Sequence, residues 1–224
     1  MQNRSQSDTE TTAAVVVDDL IVADPADAWE SAGFTVEDGS VCRIGGVVIR
    51  LTGRDAGSGI VGWSLRGLPV DAAGDVDGVP TTPSNRSASA PARHPNGVVA
   101  IDHVVLMSPD LNRTVDALTA IGVHPRRTRD ADLGGRPIRQ VFFRMGEVIV
   151  EAVGSPDAAS EGPSALWGIT YTVADIEATA AFFADRTAPV KDAVQPGRRI
   201  TTVRHREFGM SVRTAMISVP ILGA

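Results

Sequence analysis

The stretch "FRMGEVIVEAVG", residues 143–154, has a near copy earlier in the chain, "CRIGGVVIRLTG", residues 42–53. Gly45 aligns with Gly146 and Gly53 with Gly154, and the apolar runs between them match almost position by position. Each copy reads as a strand, a glycine turn and a second strand with alternating faces. Ahead of them, "DLIVADP" at 19–25 corresponds to "HVVLMSP" at 103–109. Repetition of this kind decides the fold. One such unit cannot bury both faces of its own sheet and must pack against its relatives.

Working outward from the copy at 143–154 gives a complete unit. Residues 98–107 form a strand. Ser108 is a candidate helix cap with Pro109 at the first helical position. Leu111, Val115, Leu118 and Ile121 then share one helical face, and Gly122 suits the residue just past its end. Extended stretches follow at 123–129, 138–145 and 147–153, which makes a βαβββ order. The order recurs from residue 166: a strand, a helix capped by Asp175 with Ile176, Ala180 and Phe183 on one face, then extended stretches to 219. The N-terminal copy is shorter, and its helix, with Trp29 and Ala32, ends at Gly33. Residues 59–68 open one more unit. The Pro-, Ser- and Gly-rich stretch 69–97 then has almost no bulky apolar residues.

The expected organisation is therefore a disordered tail at 1–13, a reduced unit plus one strand at 14–68, a linker at 69–97, and a paired domain at 98–220. The paired domain divides into units 98–155 and 165–220. The fold class is α+β, with paired units forming a curved mixed sheet around a cleft and helices on its outer face.

The 224 residues are 43% hydrophobic and carry a net charge of −6, which supports a real core and argues against nucleic acid as a partner. Cys42 is the single cysteine, so neither an internal disulfide nor a thiolate zinc cage is open to the chain. The polar N-terminus has no apolar signal core, and no run is long enough to cross a bilayer. The expectation is a cytoplasmic protein without a membrane partner.

The repeated βαβββ units, with paired units joined by the loop "GSPDAASEGPSA", resemble the vicinal oxygen chelate superfamily, which includes glyoxalase I, bleomycin-resistance proteins and extradiol dioxygenases. The resemblance covers residues 98–219 well and 14–68 more weakly, and is closest to the glyoxalase-like members. It implies that the first strand of a unit lies beside its fourth, and that metal ligands come from those strands. On that pattern His103 resembles the histidine ligand and Glu151 the carboxylate ligand. Strand alternation puts His103 with Val105, and Glu151 with Ile149, on the concave side.

The second unit departs from the pattern. Its histidine position falls on Gly168 and its carboxylate position near Met216 or Ser218, and neither a glycine nor a thioether suits a divalent ion. In the N-terminal copy the equivalents are Asp19 and Arg50, which read as an ion pair. His103 and Glu151 are thus both the candidate catalytic pair and an incomplete metal set, for Zn, Ni, Mn or Fe. The pair also satisfies its own polar groups with no metal at all.

Gln140, Arg144, Lys191 and Arg199 are candidate substrate-binding residues. Gln140 shares a strand face with Phe142 and Arg144. The basic stretch 190–207, with Lys191, Arg198, Arg199, Arg204, His205 and Arg206, is either an anion-contacting hairpin or a solvated one. The stretch 124–130 has the same two readings. Trp63 and Trp167 are expected in the core, each ring N–H with a partner. His94, in the linker, is assigned no role.

The resemblance implies a small-molecule cleft. If it is catalytic, it serves a lyase, isomerase or dioxygenase, with a metal as Lewis acid or with Glu151 as general base tuned by His103. The alternative is a non-catalytic binding protein of the bleomycin-resistance type, for which an anionic chain suits a cationic drug. Exposed sheet edges in the degenerate N-terminal unit make a homodimer a further expectation.

Overall fold

The computed structural model describes residues 14–72, 74–87 and 90–220; the expected tail at 1–13 lies outside the described residues. The N-terminal half contains β1 (Val16–Val22), α1 (Ala26–Ser31), β2 (Val41–Ile44), β3 (Val47–Leu51), β4 (Ile60–Arg66), β5 (Asp75–Val76) and β6 (Val79–Pro83). The C-terminal half starts with β7 (Val98–Met107), α2 (Leu111–Ala120), β8 (Pro125–Leu133), β9 (Arg136–Met145) and β10 (Val148–Gly154). It continues with β11 (Ala165–Val173), α3 (Ile176–Phe183), β12 (Lys191–Asp192), β13 (Arg199–Val203) and β14 (Arg213–Ser218).

The C-terminal strands make one eight-stranded mixed sheet in the order β12-β13-β14-β11-β7-β10-β9-β8. In each unit the first strand runs parallel to the fourth, β7 beside β10 and β11 beside β14, and the two first strands meet antiparallel at the centre. The N-terminal sheet, β2-β3-β1-β4-β6-β5, follows the same plan with pieces missing. There β1 pairs parallel with β3 and antiparallel with β4, while β4 pairs parallel with β6. The fourth unit therefore does not dissolve at 69. It keeps a partner strand inside the stretch expected to be linker, where Val76 and Val79 are buried in the core. The low apolar content of 69–97 hid two short strands that need only these two valines to seat them.

The helices start where an acid can accept orphan amide hydrogens. Asp110 caps α2 through the amides of Asn112 and Arg113, and Asp175 caps α3 through those of Glu177 and Ala178. The cap of α2 is thus Asp110 and not Ser108, whose hydroxyl bonds Thr114 instead.

The feature that positions the site is a repeated bulge. Opposite the partner strand, a residue is skipped in every first strand: Asp18 in β1, Val61 in β4, Asp102 in β7 and Trp167 in β11, with a second skip at Val99 near the start of β7. An extra residue in one strand of an antiparallel pair re-aims side chains that alternation would send apart. The residues that follow the four repeated bulges are Asp19, Gly62, His103 and Gly168.

Both sheets share one core. Phe34 packs on Trp29 and Tyr171, with ring centroids 4.9 and 5.2 Å apart. The Asp24 carboxylate ties the halves together, accepting from the Trp29 indole and from the amide and hydroxyl of Ser211. Asp77, at the tip between β5 and β6, does the same with Arg113, Thr114 and Ser164. Cys42 is buried; burial first, and then the charge of Glu37, push its thiol up to about 12. Among the described residues no helix is long and apolar enough to cross a membrane.

Candidate functional site

The bulge in β7 turns Asp102 and His103 toward the same cavity. The ring Nδ1 of His103 lies 2.8 Å from the Asp102 carboxylate. A carboxylate only accepts, so Nδ1 donates and Nε2 is left facing the cavity side. Glu151, on β10, places an oxygen 3.7 Å from that Nε2, too long for a direct hydrogen bond. Parallel pairing of β7 with β10 sets this approach, because His103 lies opposite Ile149 and Glu151 is two residues further on. His103 and Glu151 are both mostly buried, with side chains 16% and 11% exposed, so they face a cleft without being dissolved in solvent.

Each end of the pair is held from behind. The Asp102 carboxylate accepts from Arg198 at 2.6 Å, and the Arg198 guanidinium also donates to the Ser218 carbonyl. Burial alone would raise the Asp102 pKa. Hydrogen bonds from His103 and Arg198, and their charges, outweigh burial and hold the carboxyl below its usual range. On the other side the Gln140 amide donates to Glu151 Oε1, and its own oxygen accepts from Arg129 at 2.7 Å. The result is two bonded arms, Arg198–Asp102–His103 and Arg129–Gln140–Glu151, whose free tips, His103 Nε2 and Glu151 Oε2, face each other at 3.7 Å and are open to a ligand.

The cavity, about 460 Å³, has an apolar part around Phe142 and Ile149 and a wall that includes Arg126, Arg127, Arg144 and Arg198. The Arg127 guanidinium stacks over the Phe142 ring at 4.5 Å, and Arg144 donates to the Gly146 carbonyl. Among the described residues, Arg126, Arg127 and Arg144 have no carboxylate partner. Locally the cleft is cationic, opposite in sign to the chain's net charge of −6.

Of the residues expected to bind substrate, Arg144 lines this cavity and Gln140 steers Glu151. Lys191 and Arg199 do not reach it. Lys191 is exposed on the edge strand β12, and Arg199 pairs with Glu177 of α3 on the outer side. The hairpin's contribution is Arg198, one residue earlier, with Gln195. Sequence reasoning also passed over Asp102, because plain alternation sends it to the face opposite His103. The doubled polar pairs Asp18–Asp19 and Asp102–His103 were the available signal. Arg126 and Arg127 were hidden in a basic run that looks like any solvated strand.

The second unit supplies no matching pair. Gly168 lies opposite Arg213, so the position two further on, the counterpart of Glu151, is Ala215. Met216 is buried in the core, which corrects the expectation at that corner. A divalent ion wants three or four donors. Here the open donors are His103 Nε2 and Glu151 Oε2, Asp102 is taken by Arg198, and the surrounding wall is cationic. Among the described residues no group of three or more His, Cys, Asp or Glu is placed to hold a metal. These residues do not make a metal cage.

The N-terminal copy shows the same frame filled in. Asp19 and Arg50 pair at 2.8 Å, as expected of scaffold. Arg86 closes that concave side, bonding Asp19 and the carbonyls of Asp18 and Gly46. His94 is likewise structural, held by the Thr35 amide and the Arg43 carbonyl. Trp63 is buried with its N–H on Thr81, but Trp167 is 47% exposed, which overturns the expectation of core packing for it.

No protein-family model and no curated protein matches the sequence. Among solved structures, a triple mutant of 4-hydroxymandelate synthase from Streptomyces coelicolor aligns with a TM-score of 0.62 at 15% identity, over 95% of this chain and 94% of that one. Methylmalonyl-CoA epimerase from Mycobacterium tuberculosis aligns with a TM-score of 0.44 at 14% identity, over 56% of this chain and 91% of that one. A variant of the Streptomyces coelicolor methylmalonyl-CoA epimerase, in complex with 2-nitronate-propionyl-CoA, gives 0.44 at 20% identity, over 57% and 99%. The paired βαβββ units, first strand beside fourth, and the likeness to 4-hydroxymandelate synthase over nearly the whole chain give this protein the vicinal oxygen chelate fold.

Proposed function

We propose that the cleft binds a small organic anion and that His103 and Glu151 move a proton on it, as in an isomerase or lyase. One observation carries this reading: three guanidinium groups that have no acid partner among the described residues line the cavity that holds the open ends of the His103–Glu151 pair. Unpaired arginines on a cavity wall are suited to a carboxylate or an enolate, which they bind by charge-assisted hydrogen bonds. Phe142 and Ile149 would cover the ligand's carbon skeleton. Glu151 Oε2 takes the proton, with Gln140 holding the other oxygen still. The proton held on Glu151 is the one returned to the ligand, while His103, fixed by Asp102 in the tautomer that leaves Nε2 unprotonated, faces the same space as a second acceptor. No step needs a metal.

The test is proton exchange. Organic acids with an acidic α-hydrogen are incubated with the protein in heavy water and followed by proton NMR. Exchange of the α-hydrogen that is lost in Glu151→Gln supports the reading. Affinity should fall in Arg126→Ala and Arg127→Ala. Saturable binding of such acids with no exchange for any of them favours a second reading, a binding protein without chemistry, for which the bare positions Gly168 and Ala215 speak. A cationic ligand does not suit either reading, because the wall itself is cationic. The proposal includes a cytoplasmic location and a homodimer, and sedimentation velocity at two concentrations tests the latter.

A further inference from the structure

The bulge in β11 presents Trp167 to the concave side of the second unit, at the place Asp102 holds in the first. Trp29 and Trp63 are fully buried, whereas Trp167 remains 47% exposed. A large apolar ring left open inside a concavity usually marks a contact site. The Arg213 guanidinium lies 4.5 Å over the indole and makes no ion pair among the described residues. Around them is a separate cavity of about 180 Å³ lined also by Gly168, Thr170, Thr202, His205 and Ala215. Gly168 and Ala215 leave its floor low, and the threonine hydroxyls give its sides hydrogen-bonding capacity. Burial first, and then the charges of Arg206 and Arg213, hold His205 below the usual histidine range. At neutral pH the positive charge of the site is therefore that of Arg213.

We propose that this second cavity is a binding site of its own, in which Trp167 and Arg213 hold a planar aromatic anion. The ring stacks on the open side of the indole, and the anionic group meets the guanidinium, whose position over the indole is already set. The volume suffices for one ring with its carboxylate. Val105 lines this cavity and His103 the first, two residues apart on one strand face, so the sites lie about 7 Å apart along β7. The second site does not depend on whether the first is catalytic.

Benzoate is the probe, with cyclohexanecarboxylate (anionic, not planar) and benzyl alcohol (aromatic, not charged) as controls. The ¹⁵N-labelled full chain gives one indole N–H signal per tryptophan, and Trp167→Phe assigns the exposed one. Benzoate should shift that signal saturably and bind about tenfold or more tighter than either control. Arg213→Ala should weaken it by about tenfold, while Arg126→Ala and Glu151→Gln leave it unchanged. Trp167 and Arg213 are surface side chains, and unchanged Trp29 and Trp63 signals confirm that the variants are folded. Equal binding of all three probes, undiminished binding in Arg213→Ala, or benzoate shifts confined to the first cavity would overturn the proposal. So would a Trp167 signal that follows protein concentration instead of benzoate, since a second copy of the chain would then be the occupant.

Discussion

The Asp102 carboxylate and the His103 imidazole, neighbours in the chain, sit on the same side of their strand and bond each other at 2.8 Å. Without the bulge they would point to opposite faces. The arrangement commits Asp102 to two donors, the His103 Nδ1–H and the buried Arg198 guanidinium. Removing one partner of a buried pair leaves the other without compensation and costs about 3–5 kcal/mol. Asp102→Ala should lower unfolding stability by that order in urea titration. The double variant Asp102→Ala, Arg198→Met should recover part of the loss, because it removes the stranded charge as well.

Acid sensitivity follows from the same group. The Asp102 carboxyl lies below its usual range when folded. Its contribution is present above the unfolded-state value of about 4 and is lost as pH falls through the lower folded value. Asp77, where burial is outweighed by hydrogen bonds from Ser164, Thr114 and Arg113, acts in the same direction. Stability measured by denaturation below pH ~4 should therefore fall less steeply in Asp102→Asn than in the parent, starting from a lower plateau.

Two glycines should resist even the smallest substitution. A Cβ on Gly168 would lie 2.9 Å from the Arg213 carbonyl oxygen, and one on Gly62 would lie 2.9 Å from that of Pro80. In both cases the obstacle is backbone, which cannot swing aside. Gly168→Ala and Gly62→Ala should each lose about 1–3 kcal/mol in thermal or urea unfolding. Gly74→Ala, where a Cβ meets nothing within 4 Å, is the control and should stay within about 0.5 kcal/mol.

Divalent ions should leave the protein unaffected. A ligand that binds only the folded state raises stability by an amount that grows with the logarithm of its concentration relative to its Kd. With two open donors in a cationic wall, added Zn, Ni, Mn or Fe should not move the melting temperature, and His103→Ala should not change that outcome. A shift of several degrees that disappears in His103→Ala would mean that His103 and Glu151 suffice to hold a divalent ion, and would overturn this expectation.

Tyr171 carries a buried hydroxyl with no hydrogen-bond partner among the described residues. Burial first, and then nearby Cys42 and Asp24, raise its pKa well above the usual tyrosine value. An unsatisfied buried hydroxyl is a cost, so Tyr171→Phe should be neutral or stabilising by up to about 1 kcal/mol in urea unfolding. The ring packing on Phe34 is retained in that variant.

The fold was legible because the repeat is written in residues that a strand pair needs: Gly146 and Gly45 at turns, and valines and isoleucines between them. His103 and Glu151 were legible for the same reason, since parallel pairing of β7 with β10 follows from unit order. What escaped was local backbone detail. A bulge has no residue signature of its own, so Asp102 was passed over and Trp167 was expected in the core. Two valines were enough to seat β5 and β6, too weak a pattern to stand out in the stretch 69–97. Among the basic residues, reach decided membership: Arg198 enters while Arg199, next in the chain, turns outward to Glu177.

The closeness of β11 and β14 at Gly168 also bears on how such a chain can change over generations. Placing a histidine at 168 requires a new side chain and a wider strand spacing at once, because the Arg213 carbonyl oxygen lies against the place a Cβ would need. Neither change is useful without the other. No single substitution at 168 can therefore give the second unit a first-strand side chain like that of the first, so a main-chain contact keeps the two halves of the sheet chemically unlike.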